Sequence, residues 1–170
     1  MPMTANIPHS HDNAALPSAD QLLSLLGEPA RGARVTPVLE RLGMKPDFSQ
    51  SWSVAVAAPR HGVSLRFGSA LERSEGSALG ADPGPIVVCT FFYAPGHEGH
   101  RGYGSLLPFG LDFGCSRARA RELLGAPFWS SIRHQSDRWN FEGRYLCLDF
   151  ARDESSIRLV TVGLPWRVHS

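Results

Sequence analysis

The chain predicts an α+β fold built as two tandem αβββ units, each a short helix followed by three antiparallel strands. Three observations predict it. The stretch Leu106 to Pro165 reads as a capped helix that ends at a glycine, followed by short alternating strands; such a module buries one sheet face under one helix. An earlier stretch has the same order, VLERLG then WSVAVAAP, GVSLRF and IVVCTFF, against ARELLG then RWNFE, RYLCLDF and IRLVTVGL. With 170 residues, 42% hydrophobic and 19% charged, the chain can bury a substantial core, either as one domain or as two small modules. Periodicity leaves open whether the units share one continuous sheet or pack sheet to sheet, and whether two chains pair through an exposed edge strand as a homodimer.

Residues 1–17 are polar and proline-bearing without periodicity, which predicts a tail, followed by one unit over residues 18–95 and a second over residues 105–170. Ser18 caps a first helix through SADQLLSLLG, with Asp20 near its positive end and Gly27 and Pro29 closing it. Thr36, with Pro37 at the first helical position, opens a second helix with Val38, Leu39 and Leu42 on one stripe and Gly43 as its stop. Ser51 to Pro59 and His61 to Ala70 alternate as strands, with Val63, Leu65 and Phe67 on one face, and the step from Pro59 to Gly62 turns between them. Ile86 to Tyr93 is apolar on both faces, the signature of a core strand.

Residues 72–84 and 96–104 have loop composition. Ser116 caps the third helix, which should turn Ala120, Leu123 and Leu124 inward, place Arg117, Arg119 and Arg121 toward solvent, and stop at Gly125 before Pro127. The last strands run Arg138 to Glu142, Arg144 to Phe150 and Ile157 to Leu164, joined tightly at Glu142-Gly143 and then by ARDESS.

A net charge of +1 with interspersed signs carries no field for nucleic acid and no strongly acidic mimicry. The N-terminal residues show neither a basic n-region nor an apolar leader core, and the longest apolar run, Pro85 to Pro95, is strand length; the expectation is a cytoplasmic protein without a membrane partner. Cys89, Cys115 and Cys147 are odd in number and two lie inside apolar strands, an arrangement unlike a disulfide framework.

Candidate chemistry is sparse. His97-Glu98-Gly99-His100 brings two imidazoles and a carboxylate close, but the H-x-x-H spacing lies in a glycine-rich loop rather than on one helix face, so a solvated loop competes with a metal site. Cys115 stands near a helix N-terminus beside Arg117, a setting that lowers a thiol pKa; the competing role is a small helix-entry residue. Asp149 should face solvent, and Asp153 and Glu154 belong to a turn, where carboxylates are ordinarily solvated. No phosphate-binding or nucleophile-elbow motif is present, and no cofactor is implied. The aromatic residues Trp52, Phe128, Trp129, Trp139, Tyr145 and Trp166 lie at strand or loop positions among arginines, as interface anchors do, although Trp139 and Tyr145 also suit sheet covering.

The residues LPFGLDFGCSRARARELLGAP, DRWNFEG and IRLVTVGLP carry a resemblance to bacterial immunity proteins encoded beside polymorphic or type VI secreted toxins. Modules of that family read LPFGL-x-FG-x-S-R, LG-x-P, D-R-W and a last strand ending in LP. The helix-plus-strands pattern is also similar to the β-lactamase-inhibitor-protein and small outer-membrane-assembly lipoprotein folds. The resemblance covers about 60 residues and implies a binder without turnover that occludes a cognate toxin's active site through a few aromatic and arginine anchors. The residues that fit this role are Trp129, Arg133, Asp137, Trp139, Glu142 and Tyr145, on the helix-to-strand loop and the hairpin after it. Two other classes stay open: an enzyme using Cys115 or the His97/His100 loop, and an adaptor in a secretion or envelope machine.

Overall fold

Alternation places six strands, and the structure, a computed structural model that describes residues 16–51, 53–69, 84–141 and 143–165, adds a seventh. The order is α1 (Ala19–Leu23), α2 (Thr36–Leu42), β1 (Val54–Ala58), β2 (Val63–Ser69), β3 (Pro85–Tyr93), α3 (Arg117–Leu124), β4 (Trp129–Ser131), β5 (Ser136–Phe141), β6 (Arg144–Phe150) and β7 (Ile157–Gly163). All seven strands join one antiparallel sheet in the order β1-β2-β3-β7-β6-β5-β4. The two expected units therefore share one continuous sheet, each ending in the strand that meets the other at the centre. β3, apolar on both faces, runs in the interior of the sheet with β2 along one edge and β7 along the other.

The helices begin and end where local chemistry dictates. Ser18 and Gln21 form a reciprocal capping box on α1, Pro37 starts α2, and Gly43 at φ 67° ends it. The expected first helix is cut to one short turn. The chain after it is needed elsewhere: Gly27 N–H donates to the Val87 carbonyl at 2.8 Å and Val87 N–H to the Glu28 carbonyl at 3.0 Å, extending the sheet along the part of β3 that β7 leaves free.

One face of the sheet holds the core. Val63, Leu65 and Phe67 of β2, Phe92 of β3, Leu146 and Leu148 of β6 and Val160 and Val162 of β7 pack beneath Leu22, Val35, Leu39 and Leu42 from the helical segments. Both halves of the chain thus feed one hydrophobic cluster.

α3 departs from expectation. Its expected inward residue Leu123 is exposed, whereas Arg117, expected in solvent, is only 4% exposed. The reason is Asp137, which β5 projects from the core face with no exposure at all. Arg117 grips it with two donors, Nη2 to Oδ1 at 2.7 Å and Nε to Oδ2 at 3.1 Å. Arg121 grips it again from one helical turn on, Nε to Oδ2 at 2.7 Å and Nη2 to Oδ1 at 3.0 Å, and Ser130 adds its hydroxyl at 2.7 Å. Arg117 also donates to Glu154 in the β6–β7 turn and to the Ser131 and Ser136 carbonyls. Glu154 thus has a partner rather than a solvated turn position. Two arginines and two carboxylates balance in charge, with Arg117 and Asp137 inside and Arg121 and Glu154 reaching solvent.

Burial by itself would raise the Asp137 carboxyl, but the hydrogen bonds from Arg121 and Arg117 outweigh it and hold the group well below the usual carboxylate range. A depressed folded pKa contributes stability above the unfolded value of about 4 and loses it as pH falls toward the folded value. Asp137→Ala leaves buried Arg117 without its main partner and is expected to cost about 3–5 kcal/mol by urea denaturation at pH 7. Below about pH 4 the wild-type stability should fall steeply while Asp137→Asn shows a shallower acid limb. Equal acid slopes in the two proteins would contradict this assignment.

Candidate functional site

Strand alternation puts a second set of side chains on the face of the sheet away from the helices. Register aligns Trp129, Arg138, Cys147 and Thr161 in one row across β4, β5, β6 and β7, and Asn140, Tyr145, Gly163 and Cys89 in the next. No described helix covers these rows.

Tyr145 organises this face. A Cβ on Gly163 would lie 2.6 Å from the Tyr145 ring, so only glycine lets the ring lie down across β7. The Tyr145 hydroxyl reaches to 3.5 Å from Cys89 Sγ, and burial pushes the phenol pKa up. Above the ring, the Arg138 guanidinium carbon stands 4.4 Å from the centroid, a cation–π contact. Phe128, Trp129, Arg138, Tyr145, Cys147 and Thr161 enclose an open cleft of about 470 Å³. Arg138 Nε is buried there without a hydrogen-bond acceptor among the described residues.

The edge beside the cleft is apolar. Phe128 is 74% exposed, Trp129 47% and Ile132 82%, all on β4 or its flanks. β4 has only three residues, and the Asp137 cluster on the opposite face secures it through Ser130 and Ser131. The core-side ion cluster therefore sets where the cleft wall stands.

The six residues singled out from the sequence divide between the two faces. Trp129 and Tyr145 line the cleft, and Arg133 is exposed at the β4–β5 turn. Asp137 and Trp139 point the other way: Asp137 is inside the ion cluster, and Trp139, 3% exposed, donates its indole N–H to the Gly125 carbonyl at 2.9 Å. Both are interior supports rather than surface contacts. Glu142, like Trp52 and Trp166, lies outside the described residues. Arg138, Cys147 and Thr161 were not singled out, yet the period of two in Asp137-Arg138-Trp139 separates Arg138 from its neighbours. A buried Trp139 selects which face is inside.

The reactive candidates do not converge. Cys115 is buried, and burial, followed by the nearby Asp112, raises its thiol rather than lowering it; its Sγ faces the Ser116 carbonyl at 3.6 Å. Burial likewise pushes Cys89 up to about 11 and Cys147 up to about 12, and all three cysteines are free. The histidine loop, expected to be solvated, holds a 3-10 turn and packs its second histidine: His100 is 7% exposed and stacks on Tyr93 at 3.6 Å between centroids. His97 Nδ1 lies 2.9 Å from an Arg158 guanidinium nitrogen, and burial and then that cation lower its pKa. No group of three or more metal-ligating side chains occurs among the described residues. Asp149 is half-buried on the open face and accepts from Ser136 Oγ. No described helix is long and apolar enough to cross a membrane.

No protein-family model matches this chain, and no curated protein and no solved structure matches it.

Two outcomes follow from this geometry. Gly163→Ala should displace Tyr145 and cost about 1–3 kcal/mol, and adding Tyr145→Ala should recover part of the loss; additive costs in a denaturation cycle would contradict the close approach. At pH 8 the three thiols should alkylate with iodoacetamide at least about tenfold more slowly in the native protein than in urea. Rapid native labelling at Cys115 would return weight to a nucleophile there.

Proposed function

We propose that this chain is an immunity-type protein that binds a cognate secreted bacterial toxin in the cytoplasm and neutralises it by occluding the toxin's active site. The observation that carries the reading is the sheet face that no described helix covers, where an aromatic and arginine-lined cleft adjoins a strongly exposed apolar edge. Exposed aromatic residues beside an arginine are the groups that dominate binding energy at protein interfaces, and monomeric surfaces rarely keep them together without a partner. The resemblance of residues 106–165 to immunity modules supports the same reading.

Direct contact falls to Phe128, Trp129, Arg133, Arg138 and Tyr145, while Asp137 and Trp139 act from beneath by fixing β4 and β5. The fit of this face to binding is better than to turnover. Burial pushes the Cys89 and Cys147 thiols on this face away from the thiolate form.

The test is co-expression of this chain with the secreted effector encoded beside its gene, together with calorimetry on the purified pair. Protection against that effector and a stoichiometric complex are expected. Trp129→Ala should weaken the complex by about 2 kcal/mol, roughly thirtyfold, without loss of fold. Cells lacking the chain that stay fully resistant to every neighbouring effector would overturn the proposal.

A further inference from the structure

We infer that the Arg138 cleft is a receptor for one carboxylate, the side chain of an aspartate or glutamate that a partner protein presents on an apolar segment. The inference rests on the reading of the open face as a partner surface and names the chemistry of its centre.

What sets Arg138 apart is a guanidinium nitrogen that is buried without a partner among the described residues. Arg34, Arg117, Arg119 and Arg121 all lie against carboxylates. Arg138 has no ion pair or hydrogen bond among the described residues, although its Nε is buried. Of the neighbouring carboxylates, Asp137 projects from the other face of the same strand, and Asp149 accepts from Ser136 Oγ rather than from Arg138. The half-buried guanidinium lines the cleft, so a carboxylate seated there meets a cation that no described carboxylate neutralises. Arginine suits a carboxylate through two parallel hydrogen bonds from its planar fork.

The fork is also held in advance. Stacking against Tyr145 restricts the guanidinium plane, and Tyr145 is itself held by its fit over Gly163, so little rotamer freedom remains to be lost on binding. The walls decide what kind of acid enters. Phe128, Trp129 and Tyr145 are apolar, which lowers the local dielectric and strengthens a charge-assisted pair. Phe128 and Ile132 extend the apolar surface along the edge strand beyond the cleft, more area than a free small acid would cover. An acidic side chain flanked by apolar residues satisfies both parts.

The probes are the peptides acetyl-Leu-Glu-Leu-amide and acetyl-Leu-Gln-Leu-amide, with phenylacetate as a small-acid control. Nitrogen–proton correlation spectra of the full chain follow the Arg138 Nε–H and the Trp129 indole N–H. The expected result is a saturable shift of both signals with the glutamate peptide, which binds about tenfold tighter than the glutamine peptide, a difference that Arg138→Gln abolishes. Equal affinity for the two peptides, or no saturable shift, overturns the inference. Phenylacetate binding as tightly as the glutamate peptide also overturns it, by making the cleft a small-acid site. Should near-ultraviolet circular dichroism show that Arg138→Gln is misfolded, the wild-type comparison of the peptides decides alone. The two proposals fail separately: Arg138→Gln that still neutralises the toxin removes the carboxylate contact and leaves the immunity reading, whereas a glutamate-selective cleft in a chain that neutralises no neighbouring toxin does the reverse.

Discussion

Asp137 is the residue on which the second half of this molecule depends. It enters the core from β5 as a charge, and a charge there is tolerable only because Arg117, Arg121 and Ser130 supply five hydrogen bonds to its two oxygens. The same donors reach four pieces of backbone that share little hydrophobic contact: α3, β4, β5 and the turn after β6. α3 buries only Ala120 and Arg117, so a charged clasp stands where a helix of this length would ordinarily use leucines. Replacing Asp137 removes the acceptor that Arg117, Arg121 and Ser130 share, which makes it the hub of the cluster.

The consequences cross the sheet. β4 is too short for its ladder with β5 to define it, and its serines are held from the core side. Trp129, between them and Phe128 in sequence, emerges on the opposite face because alternation allows nothing else. The cleft wall is therefore positioned by an interaction on the opposite face of the sheet. Its floor has an independent support in the Tyr145 ring over Gly163. Two constraints from opposite sides of one sheet meet at Arg138.

Much of this architecture is legible in the residues. Alternation in GVSLRF, RYLCLDF and IRLVTVGL marks strands, the unbroken apolar run IVVCTFF marks the centre of the sheet, and Ser18, Gly43 and Ser116 mark helix ends. The tandem order of helix and strands foreshadows the meeting of β3 and β7. What escapes is set by long-range pairing. Three arginines at alternate positions of a helix look solvated, since nothing local announces that an aspartate twenty positions on will be buried against the first. β4 reads as a loop because two of its three residues are serines. The cleft is half visible: Trp129 and Tyr145 stand out as aromatics, whereas Arg138 is notable only once its Nε is seen to be buried without an acceptor among the described residues.

A surface that performs chemistry and one that recognises a partner leave different groups unspent. Catalysis requires a nucleophile or base whose ionisation is brought near the working pH, with neighbours oriented to it. Here burial drives the thiols toward the protonated form, the carboxylates are engaged by arginines, serines or turns, and the two loop histidines contact a cation and an aromatic ring separately. The group left unsatisfied on the open face is a permanent cation, which cannot exchange a proton at neutral pH but can fix an anion in one orientation. Placed among exposed aromatics on a strand clamped from behind, it suits the partner-binding role proposed above.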